Sequence, residues 1–284
     1  MPGSKTFIIK FFIFCVPVVA ALSIYTCYWY RDNKYQDSIN GREIYWAIKK
    51  SAKHKKVKKL LIGDSIGQQL FDNRKYNDSI YSLACNQAIS CVGFYELLKS
   101  FTDTNRDSLP EQVILVTHPL SLQNNLDQVY TFHYFLKPFY CAPYKQYFSE
   151  TVNSQIEKVP FYYLSQFPFI KISNWSPDYR PENAYNPKYL SPITVEYITR
   201  IKNLCDNLHI PFAIVAPPVS DVHRNNITQN TQAIMNEAAK MNMQAEFAFY
   251  LHSIKYMDNA LYGDEMHFHD PEKVDVNYIK TLTP

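Results

Sequence analysis

Residues 11–30, FFIFCVPVVAALSIYTCYWY, run for twenty positions without a charge. At 1.5 Å rise per residue such a helix is about 30 Å long, the thickness of a bilayer core. A tract that reads as a linker follows, running into a short helix (REIYWAIKK). From there apolar runs and helical periodicities alternate. VKKLLIG (57–63) is a short buried-type strand ending in glycine, and SIYSLAC (79–85) is a second strand. AISCVGFYELLKSF (88–101) has helical spacing, with Ile89, Val92, Leu97 and Phe101 towards one side. EQVILVTHP (111–119) is a third strand stopped by proline. A helix over 194–208, a strand over 210–218 and a helix over 228–242 follow, then a fifth strand at EFAFYL near Phe247 and a closing helix in PEKVDVNYIKTL. Strands alternating with helices predict an α/β fold with a mostly parallel sheet and helices on both faces. Residues 120–186, rich in Tyr, Phe and Pro, break the rhythm and read as an insertion. Leaving the third strand at its carboxyl end, where ligands of such sheets bind, the insertion is expected to wall or cover the site. The expected organisation is a tail and transmembrane anchor (1–31), a linker and helix (32–56), and an α/β domain (57–284).

The flanks of the apolar segment support an anchor. Lys5 and Lys10 precede it, Arg31 follows, and Tyr25, Tyr28, Trp29 and Tyr30 stand where an interfacial aromatic belt belongs. No small-x-small site ends the run, which favours an uncleaved anchor over a signal peptide. The lysines between Lys49 and Lys59 pull the domain towards the cytoplasm under the positive-inside rule, although charges within a folded domain count less. The net charge of +3 gives no general case for nucleic-acid binding. The 23 Tyr and 18 Phe suit sugar stacking as well as a plain composition bias. The six cysteines have no metal-ligand or disulfide-framework spacing, and no metal or other cofactor is expected.

Two stretches carry chemistry. In KKLLIGDSIGQQL (58–70), Ser65 follows Gly63-Asp64 straight after a strand and opens a helix. A hydroxyl there projects into the ligand crevice beside free N–H groups that favour a developing oxyanion. Ser and Asp are also ordinary N-caps, so the tripeptide alone leaves nucleophile and cap both open. A phosphate loop over 63–67 lacks the glycine spacing and the Lys-Ser/Thr pair. Near the end of the chain, in LYGDEMHFHDPEKV, Asp264 and His267 are spaced so that both can turn to one crevice. His267 would take the serine proton and Asp264 would hold its tautomer. His269-Asp270 is a competing pair.

Together, LLIGDSIGQQL and GDEMHF resemble the blocks of the SGNH (GDSL-like) hydrolase family, over about residues 57–283. The resemblance implies a flavodoxin-like three-layer sandwich and a triad of Ser65, His267 and Asp264. It also implies an oxyanion hole, for which Gln87, Asn86 and Asn124 are the candidates, with Asp64 and His118 lining the site. The family's Gly-x-Asn-Asp block should follow VILV, but the chain reads THPLSLQNNLDQ, with no Asn at the expected place. The anchored, divergent pattern is similar to SGNH-type proteins of bacterial cell envelopes. These work beside membrane-bound O-acyltransferases and move acyl groups, often acetyl, on surface polymers. The implied protein is thus a serine esterase or O-acyltransferase, held in the inner membrane through residues 11–30 with its domain outside the cytoplasm. Its partners would be an acylated polysaccharide or other ester and a membrane-bound O-acyltransferase. A non-catalytic envelope protein on the same fold, binding a glycan or that membrane partner, is the rival.

Overall fold

The computed structural model describes residues 2–31, 42–71, 80–85, 90–126, 136, 139, 144–159, 162–163 and 189–280. Helix α1 (Pro2–Arg31) contains an apolar span, Ser4–Ile24, long and apolar enough to cross a membrane, with none of it buried in the protein. Helix α2 (Arg42–Ser51) follows, then β1 (Lys59–Gly63), α3 (Ser65–Phe71), β2 (Ile80–Ser82), α4 (Ser90–Thr104) and β3 (Gln112–Val116). After a 3-10 turn at Pro119–Gln123 come α5 (Glu150–Ile156), α6 (Pro192–Asn207) and β4 (Phe212–Val215). The chain closes through β5 (Val219–Ser220), α7 (Arg224–Lys240), α8 (Gln244–His252), β6 (Tyr256–Met257) and the short α9 (Asn277–Lys280).

The protein is α/β, with four parallel strands in the order β2-β1-β3-β4. Alternate residues of each strand face opposite sides. Leu60, Ile62, Val113, Leu115 and Ile214 join one buried cluster with α2, α4, α6 and α8, and Leu61, Ile114, Val116 and Val215 join another with α3 and the C-terminal segment. Burial on both faces is why these strands read as unbroken apolar runs instead of alternating ones. The register pairs Gly63 with Val116 and Val116 with Val215, so three strands end level. The chain turns from β1 to one side of the sheet and from β3 to the other, which opens a crevice beyond the carboxyl ends of that central pair. Gly63 is required there: a Cβ on it would lie 2.0 Å from the Val116 carbonyl oxygen.

Two expected elements differ. EFAFYL is not a strand but lies in α8, where Phe247 and Tyr250 are buried a helical turn apart while Phe249 is exposed. The strand-like pairing falls later, where β6 runs parallel to β5 in a separate two-stranded sheet. Among the described residues PEKVDVNYIKTL is α-helical only at α9, after a 3-10 turn at Pro271–Lys273: Val274 and Val276 between them are both buried on the sheet, a period of two that no helix provides, and the Asp275 carboxylate accepts the Asn277 N–H at 2.9 Å. Much of the aromatic insertion lies outside the described residues. Its described parts belong to the α4–α6 side, where Leu122, Leu126, Phe139, Tyr144, Phe148 and Val152 join the core.

Glu96 on α4 is fully buried near Arg200, and neither carboxyl oxygen has a hydrogen-bond partner among the described residues. Burial pushes its carboxyl up to about 9, against the pull of the Arg200 charge. A pKa raised by folding stabilises fully below the unfolded value and loses that contribution as pH climbs towards the folded one. The protein is therefore expected to lose stability between about pH 5 and about pH 9 through this group. Glu96→Gln should flatten that slope, so that its Tm advantage over the parent widens with pH in thermal unfolding scans.

Candidate active site

Asp64 leaves β1 fully buried. Its Oδ1 accepts the backbone N–H groups of Ile66 (3.1 Å) and Gly67 (3.2 Å), and its Oδ2 accepts the His118 N–H (2.6 Å) and the Thr117 hydroxyl (3.3 Å). Burial pushes this carboxyl up, while the His118 N–H, the Ser121 hydroxyl and the Gly67 and Ile66 N–H groups hold it down, leaving a net rise. Asp64 is thus the N-cap of α3. That settles the capping question raised by Gly-Asp-Ser, because the serine hydroxyl has a different partner.

Ser65 Oγ lies 2.7 Å from His267 Nε2, across 202 residues of sequence. His267 Nδ1 lies 2.8 Å and 3.0 Å from the two carboxyl oxygens of Asp264. Asp264 Oδ1 also accepts the Met266 N–H (3.2 Å) and the His267 N–H (2.7 Å), so the carboxylate closes its own turn. Glu265, inside that turn, takes a left-handed φ of 66°. Partial burial raises the Asp264 carboxyl, but the His267 backbone N–H, the His267 ring and the Met266 N–H outweigh it and hold the group below the usual carboxylate range. An ionised Asp264 fixes the proton of His267 on Nδ1 and leaves Nε2 to accept the serine proton. Exposure rises along the chain of three: Ser65 is 8 % exposed, whereas the side chains of His267 and Asp264 are 34 % and 60 % exposed.

The loop that brings His267 to Ser65 is held from both sides. Tyr262 and Phe268 form an antiparallel bridge, Gly263 N–H donates to the His267 carbonyl at 2.7 Å, and the Tyr262 and Phe268 rings pack at a tilt of 32° with centroids 4.5 Å apart. On the other side Gln69 of α3 grips the Phe268 backbone twice, its Nε2 donating to the carbonyl (2.8 Å) and its Oε1 accepting the N–H (3.0 Å). Gln69 was invisible as a site residue from sequence. Its one signal is its position a helical turn after Ser65, on the side facing the crevice.

The expected site residues divide. Ser65, His267 and Asp264 come together, as do Asp64 and His118. Gln87 and Asn86 lie outside the described residues. Asn124 caps the end of the 3-10 turn, and its carbonyl accepts the Ser191 hydroxyl at 2.8 Å, which ties it to the start of α6. The competing pair does not form: His269 lies beside Gly263 and Asp270 pairs with Lys273 at 2.8 Å. Among the described residues no cluster of His, Cys, Asp and Glu fits a metal ion. No family model matches the chain, and neither a curated protein nor a solved structure matches it.

Asp64→Asn would turn an amide N–H₂ towards donors that need an acceptor. It should cost roughly 2–4 kcal/mol of stability in denaturant titrations. Gln69→Ala should cost roughly 1–2 kcal/mol in the same titrations by releasing the Phe268 backbone, and should slow phosphonylation of Ser65 by a fluorophosphonate about tenfold through misplacement of His267.

Proposed function

We propose that the chain is a membrane-anchored serine esterase or O-acyltransferase of the SGNH type. Its substrates on this reading are acyl esters, acetyl foremost, of a cell-envelope polysaccharide. The observation that carries the reading is the continuous hydrogen-bond chain from Ser65 Oγ through the His267 ring to Asp264. It supplies a nucleophile, a base of defined tautomer and a carboxylate that stabilises the imidazolium. The parallel sheet in the order β2-β1-β3-β4, covered on both faces, agrees with a flavodoxin-like three-layer sandwich of the SGNH kind.

In the reaction Ser65 Oγ attacks the ester carbonyl while His267 Nε2 takes its proton. The carbonyl oxygen becomes an oxyanion facing the Ser65 N–H, with Gln87, Asn86 or Asn124 as further candidate donors. The bond to the leaving oxygen then breaks, and His267 returns the proton to that alcohol. The acyl-Ser65 intermediate is opened by water, giving an acid, or by a sugar hydroxyl, giving a new ester. His267 deprotonates either one. The long N-terminal helix suits action at a membrane surface. A domain outside the cytoplasm would meet acylated polymer and a membrane-bound O-acyltransferase there.

The test is fluorophosphonate treatment of the full chain in detergent. The expected result is one adduct on Ser65, absent in Ser65→Ala and slowed in His267→Ala by roughly 10⁴–10⁶-fold. A folded protein that takes no label would overturn the enzyme reading in favour of a non-catalytic envelope protein.

A further inference from the structure

We infer that the His118 side chain donates its Nε2–H to the oxyanion formed at Ser65. This rests on the serine reading above and adds a residue to it.

Placement is the first argument. β1 and β3 are paired to their ends at Gly63 and Val116. Ser65 and His118 each stand two residues beyond that pair, past the ends of neighbouring strands. The Asp64 carboxylate locks them together, because one oxygen caps the helix that Ser65 opens while the other accepts the His118 N–H at 2.6 Å. The ring itself packs edge-on against His223, with centroids 5.7 Å apart, and feels the charge of His267.

The tautomer is fixed by the second argument. His118 Nδ1 accepts the Leu120 N–H at 3.2 Å, and a backbone N–H can only donate. A neutral ring so held carries its proton on Nε2. Burial drives the His118 pKa down to about 3, with the His223 and His267 charges acting in the same direction, so the ring is neutral wherever an esterase works. A neutral donor also adds no positive charge to compete with protonation of His267 during acylation.

The third argument is the vacant partnership. His118 is fully buried, and its Nε2 has no hydrogen-bond partner among the described residues. A buried N–H left without an acceptor costs about 1–3 kcal/mol. Such a cost is repaid functionally if the acceptor is an anion that exists only in the transition state, since a donor preorganised for it strengthens as charge develops.

Three single variants of the full chain in detergent separate this role from simple capping of the 3-10 turn. p-Nitrophenyl acetate serves as the probe and the acylation burst as the readout. His118→Ala should slow acylation ~10²–10³-fold with KM little changed. The amide nitrogen of His118→Gln reaches the imidazole Nε2 position and should recover about tenfold or more of that loss. His118→Asn puts its oxygen at the Nδ1 position, where it still accepts the Leu120 N–H, but it cannot reach the oxyanion and should recover little. Asn equal to or better than Gln, or an unchanged His118→Ala, would overturn the inference. A second measurement needs no variant: in a structure of the phosphonylated wild type, an adduct oxygen should lie about 2.7–3.1 Å from His118 Nε2. An adduct whose oxygens make no contact with that nitrogen overturns it as well. Wild type that takes neither probe is the failure of the serine reading itself, distinct from every result that ranks the variants.

Discussion

One buried carboxylate organises the working end of this protein. Asp64 sits where β1 stops, and its two oxygens receive donors from two separate pieces of chain. One oxygen starts α3; the other fastens the residues that follow β3. Parallel strands supply their own hydrogen bonds only up to their paired ends, and beyond those the backbone must find other partners. Here the Asp64 side chain, with no exposed surface, meets that need for the N–H groups of Ile66, Gly67 and His118. The close approach of Gly63 to Val116 brings the two chain segments near enough for it to do so. Remove that charge and the N–H groups of Ile66, Gly67 and His118 lose their acceptor together.

Upon that rigid corner the C-terminal segment lays a second, lighter assembly. Tyr262, Phe268, Val274 and Val276 bury themselves against the same sheet face as Ile66 and Leu70. Apolar burial gives adhesion without direction. The direction comes from polar fasteners: the two bonds from Gln69 and the self-closing turn of Asp264. They set the His267 ring at hydrogen-bond distance from a serine whose own position is dictated by Asp64. Packing thus brings the two ends of the domain together, and hydrogen bonds set the distance between Ser65 Oγ and His267 Nε2.

Much of this was legible in the residues. The strands before Gly63 and after Glu111, and the helices over 194–208 and 228–242, announced themselves because burial on both sheet faces and amphipathic helix faces leave distinct periodicities. The pairing of Ser65 with His267 and Asp264 was legible because that chemistry uses few residue types in few spacings. EFAFYL has the composition of a strand and the fold of a helix for a physical reason. An aromatic-rich run of six is equally dense in apolar residues for strand or helix, and only the tertiary contacts of Phe247 and Tyr250 choose. Val274 and Val276 misled in the opposite sense, alternating inside a stretch whose composition suits a helix. The positions of Gln69 and of the His118 ring nitrogens depend on contacts across long sequence separations, which no local pattern encodes.

The unequal exposure of the two aspartates has a consequence for substitution. Asp264 faces water, and beside its own two backbone bonds the loop is held by Gln69 and the Tyr262–Phe268 bridge, so its loss would loosen one turn and leave the domain folded. Asp64 offers no such freedom, because the fold itself hangs on it. Of Gly63, Asp64 and Ser65, the first two are thus bound to the architecture, Gly63 by its contact with the Val116 carbonyl and Asp64 by its four donors, and only Ser65 leaves its side chain to the crevice. Substitution at Ser65 is therefore expected to leave the fold intact where substitution at either neighbour does not.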